Sequence, residues 1–256
     1  MIGAVATLAW NGFREARRNR VTVLVAAFAV ALVMGAVLFT EATVSTLERV
    51  LTDLGLGSMS LMLTLLAIFL SSGLLSKEIE RRTIFMVVSR PISRGMFLLA
   101  RLAGNMLTLG VILLLMALLF IAELAIYQFP LHQSDFVAMS VLWVELLLLS
   151  SFGFLMSSFS SQIVSAVVTT GIYFAGHLSG EIYNLSQKSA SGFLRGLGKA
   201  VYYVLPNLEK LNFRPHAAYA LRVSSDEILR SVLSGLGYSA VLIGLAVLVF
   251  SSRDFK

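Results

Sequence analysis

The chain contains no cysteine and only three histidines among its 256 residues. Without cysteine there are no disulfides and no thiolate metal ligands. The histidines, His132, His177 and His216, are scattered along the sequence, so we predict no metal site. Charged residues make up 13% of the chain, against about 25% in a typical globular protein, whereas 57% are hydrophobic. A soluble protein of this size could not cover so much apolar surface, and the composition therefore predicts an integral membrane protein.

The long apolar runs predict an all-α membrane protein with six transmembrane helices of roughly 20 residues each, in one domain over residues 1–256. The predicted spans are Val21–Thr40, Leu54–Leu75, Phe97–Ile126, Phe136–Phe154, Ile163–Gly180 and Ile228–Phe250. Residues 2–20 place apolar side chains at helical spacing and end in a charged cluster. They are predicted to form an interfacial helix before the first span. A cytoplasmic tail that only fixes orientation is the alternative.

The distribution of basic residues predicts the topology. Segments 2–20, 76–101 and 251–256 together hold twelve of the 20 Lys/Arg residues and only four acids. Cytoplasmic segments carry an excess of Lys/Arg, so both termini are predicted to lie inside. Residues 181–227 form the one sizeable extracytoplasmic segment, although it is itself rich in basic residues. An even number of spans requires this placement.

Two parts of the extracytoplasmic segment have helical character, Gly192–Leu205 and Ala217–Val223. Pro206-Asn207 and Arg214-Pro215 are expected to break the helix between them. Helices half-embedded at the outer membrane surface would explain the aromatic residues of the first part. A phosphate-binding loop is excluded there, because residues 192–200 have the wrong glycine spacing and Ala200 replaces the required hydroxyl.

Residues 76–94, here called the charged segment, separate the second predicted span from the third. Lipid cannot host so many ions, so this segment is expected in water at the cytoplasmic face. Its first part favours helix, and Pro91 ends that helix by biasing Arg90 out of helical geometry. Ser93 can then cap the next helix. The residues alone leave two interpretations open: a cytoplasmic coupling helix, or an ordinary solvated loop with anchoring arginines.

The charged segment resembles the signature between the second and third spans of ATP-binding-cassette type-2 permeases. The residues that carry the resemblance are Glu78-Ile-Glu80-Arg-Arg-Thr83 and Ser89-Arg90-Pro91-Ile-Ser93-Arg94. That family typically shows acidic-x-acidic, a Gly-Thr pair and a Pro-apolar-Ser-Arg turn. Arg82 stands where the family usually has glycine. The likeness extends in outline to the whole chain, and Pro206-Asn-Leu208 is similar to permeases for copper-enzyme maturation and gliding-type systems.

The resemblance implies a permease subunit in the bacterial cytoplasmic (inner) membrane, paired in the bilayer with a second copy or a paralogue. Two ABC ATPase subunits would dock on the charged segment and drive export or force transmission. The implied docking residues are Glu78, Ile79, Glu80, Arg81, Arg82, Met86, Arg90, Pro91, Ser93 and Arg94. ATP and magnesium would bind to the partner, so this chain is expected to be non-catalytic and to hold no cofactor.

Other partners and functions follow from what the chain offers. An extracytoplasmic partner at residues 181–227 is left open, and no nucleic-acid partner is expected. The alternative function is an ATP-independent ion-coupled transporter or a membrane assembly scaffold. An intramembrane enzyme lacks support, because no catalytic constellation is visible in the apolar runs.

Ionisable residues inside the predicted spans are the remaining site candidates. Glu145 lies about eight residues into the fourth span, where a charge is costly. It is either a substrate- or proton-linked position or a hydrogen-bond partner of a neighbouring helix through Asn105 or a hydroxyl. Glu123 lies near the outer end of the third span, where snorkelling is easy, and it is expected to be a structural anchor. His177 and Glu181, one turn apart, either gate an outer mouth or form a local surface pair.

The fifth predicted span is rich in small residues, among them Thr169, Gly171 and Ala175. Small side chains let helices approach closely in lipid, where packing drives association. This span is therefore predicted to meet another helix, either within the chain or in a second protomer.

Overall fold

The structure is a computed structural model that describes residues 21–38, 44–80, 94–189 and 191–252. These residues form helices joined by short connections, and no β-strand occurs among them. The helices are α1 Val21–Leu38, α2 Val44–Glu80, α3 Arg94–Ile126, α4 Gln133–Ser157, α5 Gln162–His177, α6 Ser179–Gln187, α7 Gly192–Val204, a 3₁₀ helix Leu208–Leu211, α8 Arg214–Ala218 and α9 Ser225–Ser252. The predicted interfacial helix of residues 2–20 lies outside the described residues.

Four of these helices contain stretches long and apolar enough to cross a membrane. The stretches are Leu47–Gly73, Gly95–Ile126, Gln133–Ser157 and Ser225–Ser252. Helices α5 and α6 pass the same test as a pair bent by 58°, which gives up to five candidate spans, and α1 contributes a shorter apolar stretch, Val25–Leu38. An all-helical, multi-pass membrane protein is thereby confirmed, while the count of six spans stays a prediction.

Helix α4 occupies the centre of the bundle. It packs against α2 on one side and α9 on another, and it also contacts α3, α5, α8 and the 3₁₀ helix. Of its most apolar window 72% is buried, against 17% for α9. A polar side chain on the buried part of α4 therefore faces other helices rather than lipid and needs a protein partner, whereas Ser140 is exposed.

Small residues allow the central helices to approach closely. Gly153 of α4 lies directly against Ser71 of α2, and its carbonyl accepts a hydrogen bond of 3.0 Å from Ser165 Oγ of α5. On the far side of α4, Gly235 of α9 lies against Val144. Three neighbours thus contact α4 where side chains are smallest, as expected for helix packing in lipid.

Helix α2 is longer at both ends than the predicted span. The stretch Glu41–Asp53, predicted as a short outer loop, is helical from Val44 onward, so that prediction is wrong for ten of its thirteen residues. The reason lies in two leucines one turn apart: Leu47 and Leu51 are buried with Ala36 of α1. Their packing stabilises helix in a stretch whose charged residues suggested a loop.

The fifth predicted span does not continue straight to Gly180. Helix α5 ends at His177, and the chain bends by 58° at Leu178 into α6. At this point the connection after α7 crosses α5 closely: a Cβ on Gly176 would lie 2.9 Å from the Pro206 carbonyl oxygen. The hydroxyl of Ser179 donates to the Gly176 carbonyl across the bend, at 2.9 Å.

The predicted extracytoplasmic segment, residues 181–227, contains one correctly predicted helix and one misplaced helix. Helix α7 confirms the prediction over Gly192–Leu205 to within one residue. The predicted helix Ala217–Val223 is wrong, because the helix is α8 and Pro215 lies in its first turn. Proline is tolerated there, since the first N–H groups of a helix have no intrahelical acceptor. The chain leaves helical geometry by Ala220, whose φ of 50° is left-handed.

Candidate functional site

A buried carboxylate and a partly buried imidazole lie close together beside α4, the central helix of the bundle. Glu145 lies twelve residues after the start of α4, roughly 18 Å along the helix at 1.5 Å per residue. It is only 3% exposed. Its Oε1 lies 3.6 Å from Nε2 of His177, the last residue of α5. Neither of these two atoms has a hydrogen-bond partner among the described residues.

The orientation of the imidazole is set within α5. Nδ1 of His177 lies 3.3 Å from the carbonyl oxygen of Tyr173. A carbonyl can only accept, so Nδ1 is the donor in this contact. The Tyr173 ring packs against the imidazole with centroids 4.6 Å apart. Nε2 is therefore the nitrogen that faces Glu145.

Glu145 also lines a narrow cleft. Its walls come from α2, α4 and the segment joining the 3₁₀ helix to α8, and they include Leu56, Ser60, Phe213 and Arg214 beside Glu145. Arg214 is held by a 2.9 Å hydrogen bond from its Nε to Asn212 Oδ1. The cleft thus combines apolar walls with one carboxylate and one guanidinium. It can hold water or a small hydrogen-bonding group.

Asn105 and Glu145, which the sequence suggested as hydrogen-bond partners, do not contact each other through a hydrogen bond. Asn105 of α3 donates through Nδ2 to Ser150 Oγ of α4, at 3.1 Å, and both residues are buried. The hydrogen bond considered between Asn105 and Glu145 is therefore not the contact that either side chain makes. Both residues still join helices across the bundle, each through a different neighbour.

Glu181 does not share the position of His177. It lies beyond the bend, in α6, and it is exposed. The expectation of a local pair assumed a straight helix, in which residues four apart are neighbours. The partner of His177 is instead distant in sequence, and no local pattern could have identified it.

The small residues of α5 face in different directions. Thr169 is buried and donates to the Ser165 carbonyl at 2.7 Å, on the side that packs against α4 and α2. Ala175 is half-buried, whereas Gly171 is exposed and a Cβ there would meet nothing within 4 Å among the described residues. Close packing within the chain thus involves the Thr169 side, and a contact of Gly171 with a second protomer stays a prediction.

The sequence did not predict the surroundings of two further polar sites, Glu123 and the pair Asp135 and His132. Glu123 is buried, with no hydrogen bond to either carboxylate oxygen among the described residues, so its side chain does not reach water as snorkelling would require. The carboxylate of Asp135 accepts from the His132 backbone N–H at 2.8 Å at the start of α4. His132 Nδ1 also lies 3.8 Å from Glu48 Oε1, so α2 and α4 are linked near their N-terminal ends.

Most of the predicted docking residues lie outside the described part of the chain. Glu78, Ile79 and Glu80 form the carboxyl-terminal end of α2, and Arg94 is the first residue of α3. The others, Arg81, Arg82, Met86, Arg90, Pro91 and Ser93, are outside the described residues. Within the described residues, no group of three or more His, Asp and Glu side chains is arranged to hold a metal ion.

Comparison with known proteins agrees with the motif in the charged segment. A protein-family model described as ABC-2 family transporter protein matches residues 6–255, nearly the whole chain. No curated protein matches the sequence.

Proposed function

The chain belongs to the ABC-2 family of transporter proteins, and from this membership we propose that it is the permease subunit of an ATP-driven membrane complex. The proposed complex contains two such membrane subunits, identical or paralogous, and two ABC ATPases. It exports a substrate or transmits force across the bacterial cytoplasmic membrane, with both termini of this chain in the cytoplasm. The match over residues 6–255 is the observation that carries the proposal.

The shape of α2 supports a role in coupling. Its 37 residues extend over roughly 55 Å at 1.5 Å per residue, well beyond the ~30 Å hydrocarbon core of a bilayer. The helix continues from the end of its apolar stretch at Gly73 to Glu80 without a break. Leu56 and Ser60 of the same helix line the cleft beside Glu145. One continuous helix therefore joins the charged segment to the cleft and to the outer face.

ATP hydrolysis is assigned to the partner subunits. The charged segment supplies the docking surface, with Glu80 and Arg90 as its central charges. Charge pairs across an interface fix partner choice and register, and reversing one of them introduces repulsion.

Charge reversal in the docking surface tests the proposal. Glu80→Lys and Arg90→Glu are expected to abolish co-purification of the ATPase in detergent, while membrane insertion stays normal. Arg195→Glu is the matched control, because Arg195 is an exposed arginine on α7, in the predicted extracytoplasmic segment. Full ATPase association and activity in both docking variants would show that the charged segment is not the docking surface.

An ATP-independent, ion-coupled transporter is the second candidate, and the buried Glu145–His177 pair is the observation that favours it. The two candidates differ in their energy source. Uptake or efflux in vesicles that contain a pH gradient but no nucleotide would favour the ion-coupled candidate. Absolute dependence on ATP and a bound ATPase would exclude it.

A further inference from the structure

The contact between Glu145 and His177 requires a proton. Nδ1 of His177 donates to the Tyr173 carbonyl, so Nε2 of a neutral ring presents a lone pair to Glu145. An ionised carboxylate also only accepts. Two buried acceptors 3.6 Å apart repel each other and leave both atoms unsatisfied. One added proton turns the contact into a hydrogen bond, donated either by the carboxyl group or by the imidazolium.

The charges around the pair come from the elements that pack near it. Tyr173 lies on α5, Arg214 begins α8, and Glu209 lies on the 3₁₀ helix, and all three interact electrostatically within this cluster. His216 of α8 packs against the ring of Phe213, which lines the cleft. The α2 residues at the cleft, Leu56 and Ser60, do not titrate.

Among the described residues, the charged groups that interact with Glu145 are Arg214 and Glu209, and neither lies on α3 or α9. Helix α3 contacts α4 through Asn105, which is bonded to Ser150. Helix α9 approaches through Gly235, and its Asp226, Glu227 and Arg230 are exposed near its start. One cation and one anion, Arg214 and Glu209, therefore oppose each other beside the pair. The proton shared by Glu145 and His177 decides the local charge.

Access to Glu145 is through the narrow cleft, on the side of the predicted extracytoplasmic segment. The cleft is bounded by the end of the 3₁₀ helix and the residues that follow it. Glu209 and Lys210, on the same 3₁₀ helix, are exposed. Its free space is of the size of a single water molecule, about the minimum that a buried water requires. Water can therefore deliver a proton to Glu145, whereas a larger solute cannot enter without helix movement.

The pair also lies next to the bend between α5 and α6. His177 is the residue before the 58° bend between α5 and α6. Glu145 belongs to α4, the most buried of the candidate spans. A bond between the two side chains therefore fixes the bend against the centre of the bundle.

We propose that Glu145 and His177 form a proton-binding site, reached from the outer side through the cleft. With one proton bound, the site fixes the end of α5 against α4. When that proton leaves, the two acceptors repel and the bend is released. The regulatory meaning of this site rests on the proposed function: the position of α6 in the permease would follow the external pH.

Spin-label distances between α4 and α6 test the proposal on the full chain without its partners. Because the chain has no cysteine, Ser140→Cys and Leu185→Cys, both at exposed positions, give one defined label pair. In lipid nanodiscs, the distance distribution is expected to shift between pH 5 and pH 9. Glu145→Gln should keep the low-pH distribution at both values, because its amide N–H donates to Nε2 without a titrating proton.

Two further variants make the result decisive. His177→Gln also supplies an amide donor and should likewise remove the pH response, which covers the case in which Glu145→Gln does not fold. Glu181→Gln, an exposed carboxylate one turn away, is the matched control and should respond as the parent does. An unchanged parent distance at both pH values, a normal response in the folded Gln variants, or a lost response in Glu181→Gln would each overturn the proposal. The measurement needs no ATPase, so its outcome is independent of the docking test.

Discussion

At the scale of single residues, glycine sets how closely α2 and α4 approach. A Cβ on Gly153 would overlap Ser71 Oγ and lie 2.8 Å from Ser71 Cβ. Ser71 is fully buried and cannot swing into solvent, and its hydroxyl donates to the Ile68 carbonyl at 3.1 Å. The two helices would have to separate to accommodate even one methyl group.

Gly153→Ala is therefore expected to destabilise the protein by about 1–3 kcal/mol, the usual cost of overpacking a core. The measurement is thermal unfolding in one detergent or nanodisc composition. Gly171→Ala is the matched control, because the added methyl meets nothing within 4 Å among the described residues. Equal melting temperatures for the two variants would contradict the close approach of α2 and α4.

For single buried residues, the sequence predicted Glu145 as a candidate but not its partner. The cost of a carboxylate inside an apolar run identified Glu145 as a candidate, and its depth required a partner. The partner itself was not predictable, because Glu145 and His177 lie on different helices and meet only through the packing of α4 against α5. The burial of Glu123 was missed for the same reason. Glu123 lies close to the end of α3, which suggested access to water, but its side chain is buried in the bundle.

At the scale of elements, α7 is an amphipathic helix with one uncovered apolar face. Phe193, Leu197 and Val204 are exposed, with Phe193 at 77%. Another face packs on α6, through Gly198 against Ser186 and through the tilted rings of Tyr202 and Tyr183, whose centroids are 4.8 Å apart. Arg195 and Lys199 are also exposed. An apolar face flanked by cations is typical of helices that lie in the membrane interface.

Thiol accessibility tests this placement of α7. In vesicles, Leu197→Cys is expected to react with a water-soluble maleimide several-fold more slowly than Lys199→Cys, because lipid covers the apolar face. No native cysteine competes for the reagent. After denaturation in detergent and urea the two rates should become equal. Equal rates in intact vesicles would place the apolar face of α7 in water.

Element type was more predictable than element ends. Long apolar runs predicted α3, α4 and α9, since a 20-residue apolar stretch has few alternatives to a helix. The start of α2 was missed because Glu48, Arg49 and Asp53 suggested a loop, while Leu47 and Leu51 pack on the side that stabilises the helix. Pro215 was taken as a break, although proline also begins helices.

At the scale of the whole molecule, the topology has a direct test. An impermeant thiol reagent added to intact cells is expected to label Lys188→Cys, in the outer segment, and not Lys77→Cys. The reason is the basic excess of the segments around residues 2–20, 76–101 and 251–256. Lys77→Cys should become reactive once the membrane is permeabilised. Labelling of Lys77→Cys in intact cells would remove the charged segment from the cytoplasm and with it the proposed ATPase docking.

Composition and the motif in the charged segment were enough to predict the class and the family of the molecule, and the match over residues 6–255 confirms the family. The predicted number of spans is less secure. Helix α5 alone is short for a bilayer and becomes a candidate span only with the bent α6, and the apolar stretch of α1 is shorter still. Hydropathy cannot foresee such a bend, beside which the chain near Pro206 lies closely against Gly176.

Helix α2 is uninterrupted, and its midpoint lies near the cleft. Ser60 is close to the midpoint of the helix, whereas Glu48 and Arg49 lie near one end and Glu80 at the other. A tilt of about 5° about the midpoint would sweep each end sideways by roughly 2 Å, in opposite directions. A movement that a partner drives at residue 80 would therefore displace α2 least beside Glu145. Away from residue 80, it would displace α2 most where Glu48 contacts His132 and Arg49 lies over the Tyr219 ring.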